Sequence, residues 1–339
     1  MSAPVCLIVN PAAGGGRAGS LAPAVERALR GYGLVLRRVD TRDLEHAREL
    51  GRAAAEAGET VVALSGDGMI GVLADALREI PGAVLGILPG GRGNDLARVL
   101  GIGQDATAAC ETIAHGLARP IDLGVVVDSA ADGRERAFVG IASAGFDSEA
   151  NRIANEAPPW LGGQVYAYGA LRALAAWRPA RFEIELDPPG TRHSFVGYTT
   201  AAANSKAYGG GMRLAPDAVL DDGLLEIVAI EKVSRLRFLT NLPKVFGGTH
   251  VNLPTVRVFR AAEVRISADR PFTMYADGDP IGELPVRVRA LRGAVTMLVP
   301  PHGAADGPFD TPSPLSNGSV PATHTGSSGQ APSEPPAEG

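Results

Sequence analysis

The chain has 339 residues, 45% hydrophobic and 20% charged, with a net charge of −5 and a pI near 5.7. This is globular composition with enough apolar material for about two domains, and it lacks the basic excess expected of a nucleic-acid binder. The two cysteines, Cys6 and Cys110, exclude a disulfide framework or a thiolate metal site, and both are expected as buried small hydrophobes.

The N-terminus runs directly into a strand pattern, without a basic segment followed by a long apolar one. No apolar run approaches the roughly 20 residues that span a bilayer. A cytoplasmic protein is therefore expected. The first third alternates short apolar runs, at Val5–Val9, Leu34–Val39, Val61–Leu64 and Val84–Leu88, with helical patterns. Leu21, Val25, Ala28 and Leu29 recur at helical spacing, and Asp43–Ala57 reads as a helix behind a cap region at Thr41. Strand–helix alternation with nearly all-apolar strands predicts a parallel sheet with helices on both faces, and ligands at the carboxyl ends of its strands.

From about Ile121 the pattern changes. Strands are expected at Phe138–Ile141, Arg181–Leu186, Ser194–Ala203, Leu224–Ile230, Val256–Phe259, Glu263–Ser267, Phe272–Ala276, Pro285–Ala290 and Val295–Val299. Helices interrupt them near Trp160–Trp177 and Ser234–Phe246. Many strands with few helices predict a mainly antiparallel β domain, so the chain divides into residues 1–125 and 126–300. Residues 301–339 are dominated by Pro, Gly, Ser and Thr and are expected to be disordered. The histidines there, His302 and His324, lack metal-ligand spacing.

Three glycine-rich loops each follow an apolar strand of the first domain. They are Asn10-Pro11-Ala12-Ala13-Gly14-Gly15-Gly16-Arg17, Ser65-Gly66-Asp67-Gly68, and Pro89-Gly90-Gly91-Arg92-Gly93-Asn94-Asp95. Glycine admits positive φ and removes Cβ, so backbone N–H groups can approach an anion. Three such loops at strand ends of one sheet converge on one crevice suited to a polyphosphate. A lone glycine turn is more often a tight connection, and no Walker or Rossmann fingerprint is present, so these residues alone reach only a nucleotide or phosphate binder.

A more specific pattern runs in order from residue 5 to 299: NPAAGGGR, VVALSGDG, LPGGRGNDLARVLGI, IDLGVV, FVGIASAGFDSEANR, NSKAYGGGMRLAPDAVLDDGLLEIV, YADGDP and the closing VTMLVP. This order resembles the diacylglycerol kinase catalytic-domain family, which includes sphingosine kinases and bacterial soluble lipid kinases. The resemblance implies an ATP-binding α/β domain similar to those of NAD kinase and phosphofructokinase. It also implies a β-sandwich whose last strand returns toward the first domain, and an ATP-dependent, Mg²⁺-assisted lipid kinase. ATP-binding roles carry over to Thr41, to Ser65, Gly66, Asp67, Gly68, Met69, Ile70 and Gly71, and to Arg92, with Asn10 and Asn94 in the flanking loops.

In the bacterial branch the proposed general base is the glutamate of a DGE tripeptide, here Asp277-Gly278-Asp279, which makes Asp279 the first candidate. In the sphingosine kinase branch the base is the aspartate of SGDG, here Asp67. Val219-Leu220-Asp221-Asp222-Gly223-Leu224 resembles a structural Mg²⁺ site built from the Asp222 side chain and the Val219 and Leu224 carbonyls. A plain Asp-Gly turn accounts for the same residues.

The chain departs from the family's GGDGT-x-x-E by placing Met69 and Val72 at the threonine and glutamate positions, and from G-T-G-N-D by Arg92. A guanidinium there can grip phosphate oxygens bidentately. The acceptor is expected to be diacylglycerol or a sphingoid base taken from the inner membrane surface, with peripheral membrane contact, no nucleic acid, and homodimers as in relatives. Met69, Val72 and Asp279 also leave open a catalytically weak or inactive binding relative, and the shared GDG turn leaves open a soluble-substrate kinase such as NAD kinase. His193 and His250 read as surface or core residues, and Trp160, Tyr166 and Tyr168 as core or as lining for a lipid. The run from Glu231 to Arg237 reads as a solvated helix start or a contact for anionic headgroups.

Overall fold

The structure is a computed structural model that describes residues 3–128, 135–156, 165–187, 191–301 and 309. In the first domain β1 (Val5–Val9), β2 (Leu36–Asp40), β3 (Thr60–Ser65) and β4 (Val84–Pro89) form a parallel sheet in the order β2-β1-β3-β4. Every residue of β1 is buried, whereas β2 is the half-exposed edge. That contrast explains why the central strands read as continuous apolar runs. Helices α1 (Arg17–Gly31), α2 (Leu44–Glu56) and α3 (Asp67–Leu77) bury Val25 and Leu29, Ala47 and Ala54, and Ile70 and Leu73 in this core. The α2 cap is Asp43 rather than Thr41: the Asp43 carboxylate accepts the His46 N–H at 2.7 Å. Short helices α4 (Asp95–Val99) and α5 (Cys110–His115) follow β4.

The second domain is an antiparallel β-sandwich. Its strands are β5 (Leu117–Asp128), β6 (Glu135–Phe138), β7 (Ile141–Gly145), β8 (Ala180–Leu186), β9 (Thr191–Ala203), β10 (Leu225–Glu231), β11 (Val256–Ala261), β12 (Glu263–Ala268), β13 (Thr273–Ala276), β14 (Asp279–Glu283) and β15 (Val286–Val299). In β8 the sequence ARFEIEL buries every second residue, the signature of a sheet with one covered face. Inward-facing Val126, Phe138, Ile184, Ile227, Val264 and Val288 share one core. Helices α6 (Phe146–Asn155), α7 (Val165–Ala176) and α8 (Arg235–Phe246) lie outside it, with a smaller cluster of Phe146, Leu174, Trp177 and Tyr198.

One strand joins the two domains. β15 pairs with β12 through its first half, with β4 in parallel through Thr296 and Met297, and with β5 through both halves. The two segments expected at Pro285–Ala290 and Val295–Val299 are this single strand, with a register shift between Leu291 and Val295. β5 pairs along its whole length, and residue 125 lies inside it. Both cysteines are buried and free. The segment expected to be disordered, with His302 and His324, lies outside the described residues apart from Pro301 and Phe309. Phe309 packs against the first core, with the Arg119 guanidinium 4.0 Å from its ring centre. Trp160 and the Tyr166 side chain also lie outside the described residues. Among those described, no helix is long and apolar enough to cross a membrane.

Met297 is fully buried in the first core although it belongs to the closing strand. Met297→Ala is expected to cost about 2–5 kcal/mol, measured by urea unfolding, with the transition remaining single because β15 belongs to both domains.

Candidate active site

The carboxyl ends of β1, β3 and β4 carry the three glycine loops, and these touch one another through bare backbone. The Ser65 carbonyl accepts the N–H groups of Gly90 and Gly91 at 2.8 and 3.1 Å. A Cβ on Gly91 would lie 2.4 Å from Gly66 Cα, and one on Gly14, whose φ is +64°, would lie 2.5 Å from the Gly90 carbonyl oxygen. Side chains are thus excluded where the loops meet, and backbone N–H groups of loops and helix starts line one crevice. Asn94 shapes the third loop. It adopts φ 51°, its Oδ1 accepts the Gly91 N–H at 2.8 Å, and its Nδ2 donates to the Gly91 carbonyl at 3.1 Å.

Three carboxylates gather at the start of α3. Asp67 accepts the N–H groups of Asp95 and Leu96 at 3.0 and 3.1 Å and so holds the first turn of α4. Asp277, at φ 51°, accepts the N–H groups of Val139 and Gly140, both at 2.9 Å. Asp279, exposed at the edge of the site and not lining the cavity, lies beside Gly68, where a Cβ would meet its Oδ2 at 2.9 Å. Desolvation of the carboxyl groups pushes all three up, although Asp279 is exposed as a residue. Asp95 adds to the effect at Asp67, Asp67 and Asp279 add to it at Asp277, and Arg136 opposes it at Asp279. Asp277 is raised to about 7.

A single cavity of about 840 Å³ begins at these loops and continues into the second domain. Asn10, Ser65, Gly66, Asp67, Gly68, Met69, Ile70 and Arg92 line its first part. Phe146, Ile230, Phe238, Leu242, Val245 and Leu253 line an apolar chamber at the other end. Between them stands Asp147, whose carboxylate accepts the Thr199 hydroxyl at 2.8 Å, the Tyr208 hydroxyl at 3.2 Å and a bond from Ser143. Burial raises its pKa. Ser205 Oγ and His250 Nδ1 are buried without a partner among the described residues, and both residues line the cavity. Asp95 spans the cleft: its Oδ2 accepts the Gly210 N–H at 2.7 Å, while Arg98 donates to its Oδ1 at 2.6 Å.

Most of the expected nucleotide residues therefore come together, and three do not line the cavity. Thr41 is buried, with its hydroxyl donated to the Asp43 carbonyl at 2.6 Å. Gly71 faces Asp277, whose Oδ2 would lie 2.8 Å from a Cβ there. Asn94 is spent on loop shape. Met69 and Ile70 line the cavity from below while packing in the first core. Arg92 is exposed on the rim and has no hydrogen bond or ion pair among the described residues.

At 219–224 the carboxylate of the expected cation set is ion-paired. Asp222 is already neutralised by Arg260, which also pairs with Glu226, and its Oδ1 accepts the Leu224 N–H at 2.9 Å. The Asp222 set with Val219 and Leu224 is thus a charge-paired turn. Among the described residues no group of three or more His, Cys, Asp or Glu is placed to hold a metal. His193 stacks on Phe259, and Tyr168 accepts a bond from Arg172. The sequence assigns no role in the site to Asp95, Asp147, Ser205, Tyr208 or Asp277, although Asp95 and Asp277 are carboxylates beside its motifs. All five stand inside the ordered motifs, where nothing in the local spacing separates them from their neighbours.

Residues 4–126 match the diacylglycerol kinase catalytic domain, and residues 140–299 match the YegS C-terminal NAD kinase beta sandwich-like domain. The chain is 35% identical to a diacylglycerol kinase of Mycobacterium tuberculosis (strain ATCC 25618 / H37Rv), over 88% of this chain and 96% of that protein. It is 32% identical to a probable lipid kinase YegS-like protein of Serratia proteamaculans (strain 568), over 72% and 77%. A solved structure from Bacillus anthracis str. Sterne, described as a diacylglycerol kinase, shares the fold at TM-score 0.66 and 20% identity, covering 88% of this chain and 97% of its own.

A carboxyl whose pKa is raised on folding holds its proton more tightly in the native state. Its stabilising contribution is complete below the ordinary aspartate value and is lost as pH rises through the folded value. For Asp277 that window runs from 3.8 to about 7, at about 1.4 kcal/mol per pH unit. Wild-type stability is expected to fall more steeply between pH 5 and 8 than that of Asp277→Asn, by denaturant titration at each pH. Equal slopes would show that Asp277 does not titrate there.

Proposed function

The chain belongs to the diacylglycerol kinase family, and on that premise we propose that it transfers the γ-phosphate of ATP to a hydroxyl of a lipid drawn from a membrane surface. The acceptor is a diacylglycerol or a sphingoid base. The observation that carries this reading is the continuity of the cavity, which joins a polar crevice of glycine loops to an apolar chamber. A soluble acceptor would have no use for a chamber walled by Phe146, Phe238, Leu242 and Val245.

In this reading ATP enters with Mg²⁺, which offsets phosphate charge. The loop N–H groups cradle the phosphates and Arg92 grips them from the rim. The acceptor hydroxyl comes from the chamber side. Its proton passes to Asp279, its oxygen bonds to the γ-phosphorus, and the bond from that phosphorus to the β–γ bridging oxygen breaks to leave ADP. Asp279 suits the base because its carboxylate projects beside Gly68 and its pKa is raised. Asp67 suits it less, since both its oxygens hold the start of α4. Asp67 and Asn94 set the geometry of the loops from behind.

Incubation with labelled ATP and a panel of diacylglycerol, sphingoid base and NAD tests the proposal. Label is expected in one lipid class. Asp279→Asn is expected to lower turnover by about 10²–10⁴-fold, and Arg92→Ala to raise the KM for ATP by about tenfold. NADP formation, or ATP binding without any labelled lipid and without an effect of Asp279→Asn, would overturn it.

A further inference from the structure

Helix α8 buries none of its residues fully, although it walls the apolar chamber. Its inner face, Phe238, Asn241, Leu242 and Val245, follows helical spacing and lines the cavity. A second row, Leu236, Leu239, Pro243 and Phe246, is spaced i, i+3, i+7 and i+10. It continues the apolar surface round to the outside. Leu236 is 73% exposed, Leu239 38% and Phe246 52%, and Phe246 also lines the chamber. The chamber wall and an exposed apolar face therefore meet along this helix. Exposed leucines on a chain with ample core call for a partner.

The charge around this face is lopsided. From Lys232 to Ala262 the chain carries six cationic residues and no Asp or Glu, in a protein whose net charge is −5. Arg257 and Arg260 of β11 are neutralised by Glu231 and by Asp222 with Glu226. Lys232, Arg235, Arg237 and Lys244 have no ion pair among the described residues. Arg237 and Lys244 stand one heptad apart, beside the outer apolar row. An exposed apolar row flanked by unpaired cations is the pattern of a helix that lies in a membrane interface. Arg235 also donates to the Trp177 carbonyl at 3.2 Å, which ties the start of α8 to the end of α7. On α7, Leu171 is 59% exposed.

We propose that α8 is the surface on which this protein docks to an anionic lipid bilayer, with Leu236, Leu239 and Phe246 at the acyl boundary and Arg237 and Lys244 among the phosphates. The chamber behind Phe246 then faces the bilayer, and an acceptor reaches it without crossing water. This deepens the lipid-kinase reading and rests on it for the identity of the cargo; the docking itself does not depend on catalysis.

The full chain is sedimented with vesicles of phosphatidylcholine, alone or containing phosphatidylglycerol. Binding is expected only with the anionic lipid and is expected to weaken with salt. The double variant Arg237→Glu, Lys244→Glu and the double variant Leu236→Ser, Leu239→Ser are each expected to lower vesicle affinity about tenfold or more. Arg27→Glu, on exposed α1, should bind as the wild type does. All variants should keep wild-type ATP affinity, and the α8 variants should keep turnover of a short-chain, water-soluble diacylglycerol. Equal binding to neutral and anionic vesicles, no binding to either, or wild-type affinity in both α8 variants would overturn the docking proposal. Anionic-vesicle binding that the α8 variants lose, with no lipid phosphorylated, would uphold the docking surface and overturn the kinase reading alone.

Discussion

The contact between Gly66 and Gly91 governs the architecture of the crevice. Their backbones lie so close that a methyl group on Gly91 would fall 2.4 Å from Gly66 Cα. That approach brings the loop after β3 against the loop after β4, while Gly14 presses the first loop onto Gly90. Asp67 then reaches across to the N–H groups that open α4. Nothing larger than hydrogen at these points would let three strand ends share one ligand.

The second domain completes the site because β15 stitches it to the parallel sheet. With β15 paired to β4, β13 and β14 come to rest over the start of α3. Asp277 is anchored there by Val139 and Gly140, and Asp279 overhangs Gly68. Crowding carboxylates in a partly dry place raises their proton affinity. Asp95 reinforces the closure by holding Gly210 across the cleft. Beyond it the walls turn apolar, so one cavity changes character along its length.

Several elements were legible because their signals are local. The apolar runs of β1, β3 and β4 and the alternation in β8 mark one parallel and one antiparallel region, and the glycine loops point to the crevice. Other signals misled. Thr41 reads as a cap and as an ATP contact, yet Asp43 caps α2 and the Thr41 hydroxyl serves the loop. At 219–224, Arg260, 38 residues beyond Asp222, pairs with the carboxylate, a partner no local pattern announces. α6 was hidden by its short sequence directly after β7 and Gly145, and β14 by the turn residues that open it.

Period, loop chemistry and motif order are properties of neighbouring residues, so the sequence by itself determined the two-domain class, the family and the crevice loops. Tertiary structure alone decided which carboxylates converge, because Asp67 opens α3 of the first domain while Asp277 and Asp279 belong to the β13–β14 hairpin of the second. It alone decided that Asp147 and Ser205 line the same cavity as the glycine loops. It also separated the inner row of α8, which walls the chamber, from the outer row that remains exposed. Helical spacing names both rows, but only packing leaves one of them without a cover.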